Sequence, residues 1–397
     1  MLFVRRLVVC LVIVAFFQAC NQKVKDPNEE IPEKVLSPKE IEKIKKEING
    51  EAKAAAISSI ISAKVNAGFN GNVLVAQKGV VLFEGSYGFS NIEDTIRLNS
   101  HSKFQLASLS KTFTAVATMK MVEDGQIGLD NTVKDYFPDF PYDGVTIRSL
   151  LSHRSGLPYY QYEFDKKVRG ERVYPTNLMM MEWFAKANPT PKPLNLPDHF
   201  FSYNNTNFAI LAAIIEKVSG KSFDDYLQEK IFKPAGMKET FAGNSKNPEL
   251  QKNKTQGYQN GRRLEKDFYD DIQGDKGIYS TTGDLLKWYN LLKSEKVLSK
   301  ESLREMYTPR SFEHPGLRNY GYGFRLWVND LQQTDYIYHT GWWKGYNTIM
   351  FFDLREDFVV ILLSNKYNRG VYNIRDIVNV LHGKNKASTL EENILDQ

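Results

Sequence analysis

Strand-like runs stand near the two ends of this chain, with helical and loop-rich sequence between them. Gly71 to Gln77 and Val80 to Tyr87 meet at Lys78-Gly79, a hairpin signal. Asp335 to Thr340, Tyr346 to Asp353 and Phe358 to Ser364 follow one another over short turns, which makes them an antiparallel meander. Strands this far apart can still share one sheet, and the middle then forms an inserted helical domain. A length of 397 residues suits one large or two intimate domains. The expected division is an α/β sheet domain of residues 51–115 with 275–383, and an inserted all-helical domain of residues 116–274. The crevice between them is the natural binding site.

The N-terminus carries a different signal. Arg5 and Arg6 precede Leu7 to Phe17, an apolar stretch too short for a comfortable membrane span, and Ala19-Cys20 follow. A small residue before a cysteine, after an apolar run, resembles a bacterial lipoprotein processing site. Residues 1–19 are then a signal peptide and Cys20 is the lipidated residue. The protein is expected at the cell envelope, outside the cytoplasm, held to a membrane by its lipid. Cys10 is the only other cysteine and leaves with the signal, so no disulfide is expected. Residues 20–50 read as a tether, polar and proline-containing, and a charged helix started by the capping box Ser37-Pro38-Lys39-Glu40 and broken at Gly50. Residues 52–66 form a more apolar helix, and residues 384–397 a polar tail.

The densest chemistry lies in FQLASLSKTFTAVATMKMVEDG, Phe104 to Gly125. Ser108 sits at the start of a helix that is apolar all round, and Gly125 can close it as a left-handed cap. Lys111 is one turn on, so its amine can reach the Ser108 hydroxyl. Burial disfavours the ammonium form, which lets such a lysine act as a base. Unpaired N–H groups at the helix start face any negative charge that forms at the serine. This is the chemistry of an activated serine nucleophile. The spacing alone is common, for Ser100 and Lys103 repeat it in a polar loop.

Three further features could line the crevice. Tyr203-Asn204-Asn205 precedes a buried helix, where a tyrosine can relay protons and an amide can hold a substrate. Tyr258-Gln259-Asn260 has the same spacing. His339-Thr340-Gly341 ends a strand; its glycine permits close backbone approach. Gly274 to Gly283 is a glycine-rich loop before a helix.

In this order the features resemble the serine β-lactamase and penicillin-recognising D-peptidase family, in its class C and esterase-like branch, which carries Ser-x-x-Lys, then Tyr-x-Asn, then Lys- or His-x-Gly. The stretches IRSLLSHRSGLP, GIYSTTGDLLKW, YGYGFRLW and HTGWWKGYNT agree, and the likeness covers roughly residues 68–383. It implies an α+β fold: a five-stranded antiparallel sheet flanked by helices, with the helical domain inserted. It implies that Ser108 forms an acyl-enzyme, with Lys111 as its base and Tyr203 as proton shuttle. The backbone N–H groups of Ser108 and Trp342 would form the oxyanion hole. Asn205, His339, Thr340 and Gly341 would bind substrate. No cofactor and no metal are implied. The substrate would be a small molecule or peptide carrying an amide or ester bond: a D-alanyl peptide, a simple ester or a β-lactam, in falling order. A class C-like β-lactamase, or a non-catalytic penicillin- or cell-wall-binding module, are the alternatives.

The departures bear on substrate. His339 stands where β-lactamases carry lysine, which makes efficient β-lactam hydrolysis less expected. Trp342 and Trp343 stand where many relatives have small residues. Lys344 could supply a cation, though a solvated turn lysine is the plainer reading. His153 has no Gly-x-Ser-x-Gly elbow beside it and reads as a packing residue of the helical domain. His101, His199, His314 and His382 are scattered, and Gly321-Tyr322-Gly323 lacks the third glycine of a dinucleotide site. Charges of both signs alternate, without a basic run interleaved with aromatics, so nucleic acid is not an expected partner. Nothing in the sequence fixes the oligomeric state.

Overall fold

The computed structural model describes residues 36–163, 174–243, 245–266, 268–313, 316 and 318–383. The expected signal peptide, Cys20, the tether before Leu36, His314 and the polar tail lie outside these residues.

Two helices lead in, α1 (Pro38–Glu47) and α2 (Gly50–Asn66). Ser37 caps α1 through the expected capping box with Glu40. The break falls one residue earlier than expected: Asn49 takes the left-handed turn at φ 55°, and Gly50 already begins α2. A hairpin follows, β1 (Gly71–Gln77) and β2 (Val80–Tyr87). Lys78 and Gly79 both have positive φ, as a two-residue hairpin turn requires. The middle of the chain contributes α3 (Ser110–Glu123), α4 (Asn177–Lys186) and α5 (Asn205–Ser219), then α6 (Thr282–Leu292) with Thr281 as its cap. The chain closes with β3 (Arg318–Tyr320), β4 (Arg325–Val328), β5 (Thr334–Trp343), β6 (Tyr346–Asp353), β7 (Phe358–Ser364) and α7 (Arg375–His382).

The two groups of strands share one antiparallel sheet, in the order β3-β4-β5-β6-β7-β1-β2. The five expected strands are its contiguous part. Two short strands, β3 and β4, extend the edge and bring the count to seven rather than five. The first and last thirds of the sequence join where β1 pairs with β7, Gly71 opposite Ser364 and Gln77 opposite Phe358. Alternation along these strands feeds two cores. Val73, Val75, Val360 and Leu362 pack against Ile57 and Ile61 of α2 and Ile377, Val378 and Leu381 of α7. Leu74, Ala76, Val359, Ile361 and Leu363 face a larger cluster that includes Phe113 of α3, Phe208 of α5 and Trp288 of α6. Because both faces are covered, β1 and β7 are buried along their whole length. The division drawn at residue 115 falls inside α3, whose apolar side chains on both sides of that point belong to the larger cluster.

Candidate active site

The chain enters the site through a short strand, Phe104–Gln105, paired with Ile278–Ser280. It then turns through Ala107–Leu109, a single 3-10 turn that carries Ser108, before α3 begins at Ser110. Ala107 holds φ at 50°, a left-handed conformation that costs a non-glycine residue about 1 kcal/mol or more. Its surroundings enforce it. Thr348 Oγ1 of β6 donates to the Leu106 carbonyl at 2.7 Å, and the Leu106 N–H donates to the Ile278 carbonyl at 2.8 Å. Gly341 of β5 lies against the same turn: a methyl group there would sit 2.1 Å from the Leu106 carbonyl oxygen. Ser108 itself stays half-buried.

Lys111 is fully buried on the first turn of α3. Its Nζ lies 3.1 Å from Ser108 Oγ, 2.8 Å from Asn205 Oδ1 and 2.8 Å from the Asp275 carbonyl oxygen. It also stands 5.1 Å from the centre of the Tyr203 ring. The glycine-rich loop that had signalled only a loop and a cap therefore contributes an acceptor through Asp275. The two rival motifs lie apart from this cluster. Lys103 donates to the Leu250 carbonyl and is buried rather than solvated, and Tyr258 bonds the Ile92 N–H and Glu93.

Tyr203 precedes α5, Asn204 caps it by accepting from the Thr206 N–H at 2.9 Å, and Asn205 is its first helical residue. The helix start thus fixes the side chain that holds Lys111. Tyr203 Oη is buried without a hydrogen-bond partner. Around the Tyr203 ring stand His153 at 4.4 Å, Tyr320 at 6.2 Å and His339 at 6.3 Å between ring centres. His153 is a buried packing residue, as expected, and its packing partners include this ring. It abuts Tyr203, because the Leu151-to-Gly156 loop folds back against the start of α5, where the Ser202 N–H donates to the His153 carbonyl.

His339 is buried on β5, with Nδ1 2.7 Å from the Thr340 carbonyl oxygen and Nε2 3.2 Å from Tyr320 Oη. A carbonyl only accepts, so Nδ1 carries the proton and Nε2 accepts from the tyrosine. Burial first, then the Arg325 guanidinium, push its pKa well below the usual 6.5, so His339 is a neutral ring. Thr340 is half-buried, and Trp342 is 60% exposed. Trp343 turns inward, donating from Nε1 to Asp270 Oδ1 at 2.7 Å.

A cation that no motif announces also stands beside Tyr203. Arg325 of β4 stands opposite Tyr338, beside His339, and its guanidinium lies 4.9 Å from the centre of the Tyr203 ring. It has no ion-pair partner among the described residues, and its Nε is buried without a hydrogen bond. Lys344, by contrast, forms the β5–β6 turn with Gly345, at φ 48° and 84°. The signal for Arg325 was an arginine inside the apolar text YGYGFRLW, a placement that needs a reason when the residue faces a core. Among the described residues no cluster of three or more histidine, cysteine or acidic side chains could hold a metal ion.

A family model described as Beta-lactamase matches residues 59–383. Penicillin-binding protein 4* of Bacillus subtilis (strain 168) is 34% identical over 316 residues, 75% of this chain and 68% of that protein. The crystal structure of a penicillin binding protein from Bacillus halodurans aligns with a TM-score of 0.68 at 26% identity, covering 79% of this chain and 95% of that one. A D-amino acid amidase from Ochrobactrum anthropi SV3 shares the fold, with a TM-score of 0.69 at 23% identity over 84% of this chain and 99% of that one. The chain belongs to the Beta-lactamase family and is a serine hydrolase.

Proposed function

We propose that the protein cleaves the terminal amide bond of D-alanyl peptides, and simple esters more slowly, through an acyl-enzyme on Ser108. The observation that carries this reading is the set of contacts around Lys111. In its amine form a lysine has two N–H donors and one lone pair. Asn205 Oδ1 and the Asp275 carbonyl accept the two hydrogens, which leaves the lone pair for the Ser108 hydroxyl proton at 3.1 Å. Ser108 Oγ then bonds the substrate carbonyl carbon, and the tetrahedral oxyanion takes the N–H groups of Ser108 and Trp342, each typically contributing about 3–4 kcal/mol. The C–N bond breaks as the leaving amine receives the proton, with Tyr203 as shuttle. Water enters, gives its proton back along the same route and releases the acid.

The preference for a D-alanyl peptide rests on Arg325. A free terminal carboxylate needs a cation, His339 is neutral, and Arg325 is the arginine beside Tyr203 without an ionic partner among the described residues. Thr340 and Asn205 complete the polar lining, and no cofactor takes part in these steps. For location, we take the sequence pattern at Cys20 as a lipid attachment site at the cell envelope. The test is the intact mass of the protein after brief exposure to a penicillin, with Ser108→Ala alongside. An adduct of the drug's mass, absent from the variant, is expected. Consumed drug without an adduct would point to a β-lactamase instead. Intact drug with no ester turnover would sink the reading.

A further inference from the structure

We propose that His153 is a positioning residue for Tyr203, acting through a fixed neutral tautomer. This rests on the assignment of Tyr203 as the proton shuttle, and it goes beyond that assignment.

His153 is fully buried and holds φ at 57°, so the chain pays a local conformational cost to place this ring. Its Nδ1 lies 3.1 Å from the Asn204 backbone nitrogen and 3.1 Å from Asn207 Nδ2. A backbone N–H can only donate, so Nδ1 must accept, and the proton of the neutral ring resides on Nε2. Burial first, with the Arg325 guanidinium adding to it, holds its pKa well below 6.5, so the ring does not take a second proton near neutrality.

The ring is pinned by the same segment that carries Tyr203 and Asn205. Nδ1 ties it to the start of α5, while its faces meet Tyr203 at 4.4 Å, Tyr320 at 4.8 Å and Phe208 at 5.0 Å between centres. Two polar atoms in this cluster are buried without partners: His153 Nε2 and Tyr203 Oη. An orphaned buried donor is destabilising and is retained where it has work in another state. Tyr203 Oη must become an acceptor each time it releases its proton. His153 Nε2–H is a donor held in ring contact with it, unable to ionise and unable to turn over without breaking two hydrogen bonds. A small rotation of Tyr203 on substrate entry would let the donor meet the phenolic oxygen. The effect falls on the step in which Tyr203 gives or takes the proton, and leaves Ser108 and Lys111 in place.

The test uses the full chain in four forms: wild type, His153→Asn, Tyr203→Phe and the double variant. Asparagine tolerates positive φ and keeps an acceptor near Nδ1, but has nothing at Nε2. His153→Asn is expected to lower kcat for ester and D-peptide substrates roughly ten- to a hundredfold, with KM changed far less, and the double variant to be no slower than Tyr203→Phe alone. Additive losses would overturn the proposal, since His153 would then act independently of Tyr203. Full activity in Tyr203→Phe would instead remove Tyr203 from the mechanism, a separate failure of the assignment beneath it. Should His153→Asn not fold, nitrogen NMR of the histidines in the wild type decides: the proposal requires one ring with a bare Nδ1 and a protonated Nε2 throughout pH 6 to 8, and a protonated Nδ1 at His153 would end it.

Discussion

Arg325 is where, on the proposed function, a single side chain would decide substrate. Its guanidinium faces the Tyr203 ring with no carboxylate to balance it among the described residues, which on the proposed function suits it to receive a substrate's own carboxylate. Hydrogen bonds to a charged group contribute about 1.5–3 kcal/mol, so Arg325→Ala should lower kcat/KM roughly ten- to a hundredfold for a peptide ending in free D-alanine. The methyl ester of the same peptide should lose little. Equal losses on both would mean that Arg325 supports the fold of the site rather than the carboxylate. The two buried histidines make a second prediction at this scale. Both His153 and His339 have pKa values pushed well below 6.5, chiefly by burial. Below pH 6.5 the unfolded chain binds protons at these rings and the folded chain does not, so stability is fully present above that pH and falls as pH drops through it. Each ring contributes up to about 1.4 kcal/mol per pH unit in that range. Urea midpoints between pH 6.5 and 5 should therefore fall less steeply in His339→Gln than in the wild type; parallel slopes would contradict it. Ser108, Lys111 and Tyr203 were legible in the sequence because their spacing is local and each motif has a helix to sit on. Arg325 and His153 were not, because what matters about them is which strand or loop lies next to Tyr203.

The joint between β5 and the Ser108 turn is the element on which the site depends. Backbone approaches backbone there: a methyl at Gly341 would lie 2.1 Å from the Leu106 carbonyl oxygen and 3.1 Å from Ala107 Cβ, and Tyr372 Oη donates to the Gly341 carbonyl at 2.7 Å. The strand cannot yield without pulling Trp342, whose N–H is proposed for the oxyanion hole, away from Ser108. Gly341→Ala should lower stability by about 1–3 kcal/mol and activity by two orders of magnitude or more. Trp342→Ala, which trims an exposed indole, should leave the melting temperature nearly unchanged. A Gly341→Ala protein with wild-type rate and melting temperature would show that strand and turn separate freely. The need for glycine here was visible in His339-Thr340-Gly341, and so were the five long strands, since alternating or continuous apolar runs bounded by turns declare themselves. The short strands β3 and β4, and the pairings of Phe104–Gln105 with Ile278–Ser280 and of Phe241–Ala242 with that same strand, were not visible. Two or three residues carry no period, and only their tertiary neighbours make them strands.

Over the whole molecule the sheet has a working end and an attached end. Gly341, Thr348, Leu363 and Asn72 lie in register across β5, β6, β7 and β1, at the end of the sheet that holds Ser108. The turns Lys78-Gly79 and Leu354-to-Asp357 lie at the other end, and Leu36, the first described residue, lines one groove with Lys78, Gly79 and Asp357. The seven residues of β1 separate the two ends by roughly 20 Å at about 3.3 Å per residue. Whatever precedes Leu36 therefore joins the folded body at the end away from the cleft. If Cys20 carries lipid, the anchor and the chemistry are mechanically independent, and the cleft faces away from the point of attachment. Cys20→Ala, expressed in a lipoprotein-processing bacterium, should move the protein from the membrane to the soluble fraction. Its kcat and KM on a small soluble ester should match those of the detergent-extracted wild type, because no part of the site reaches the attached end. Membrane retention of the variant would remove Cys20 as the anchor. A changed rate in a released variant would instead mean that the N-terminal segment communicates with the cleft across the sheet.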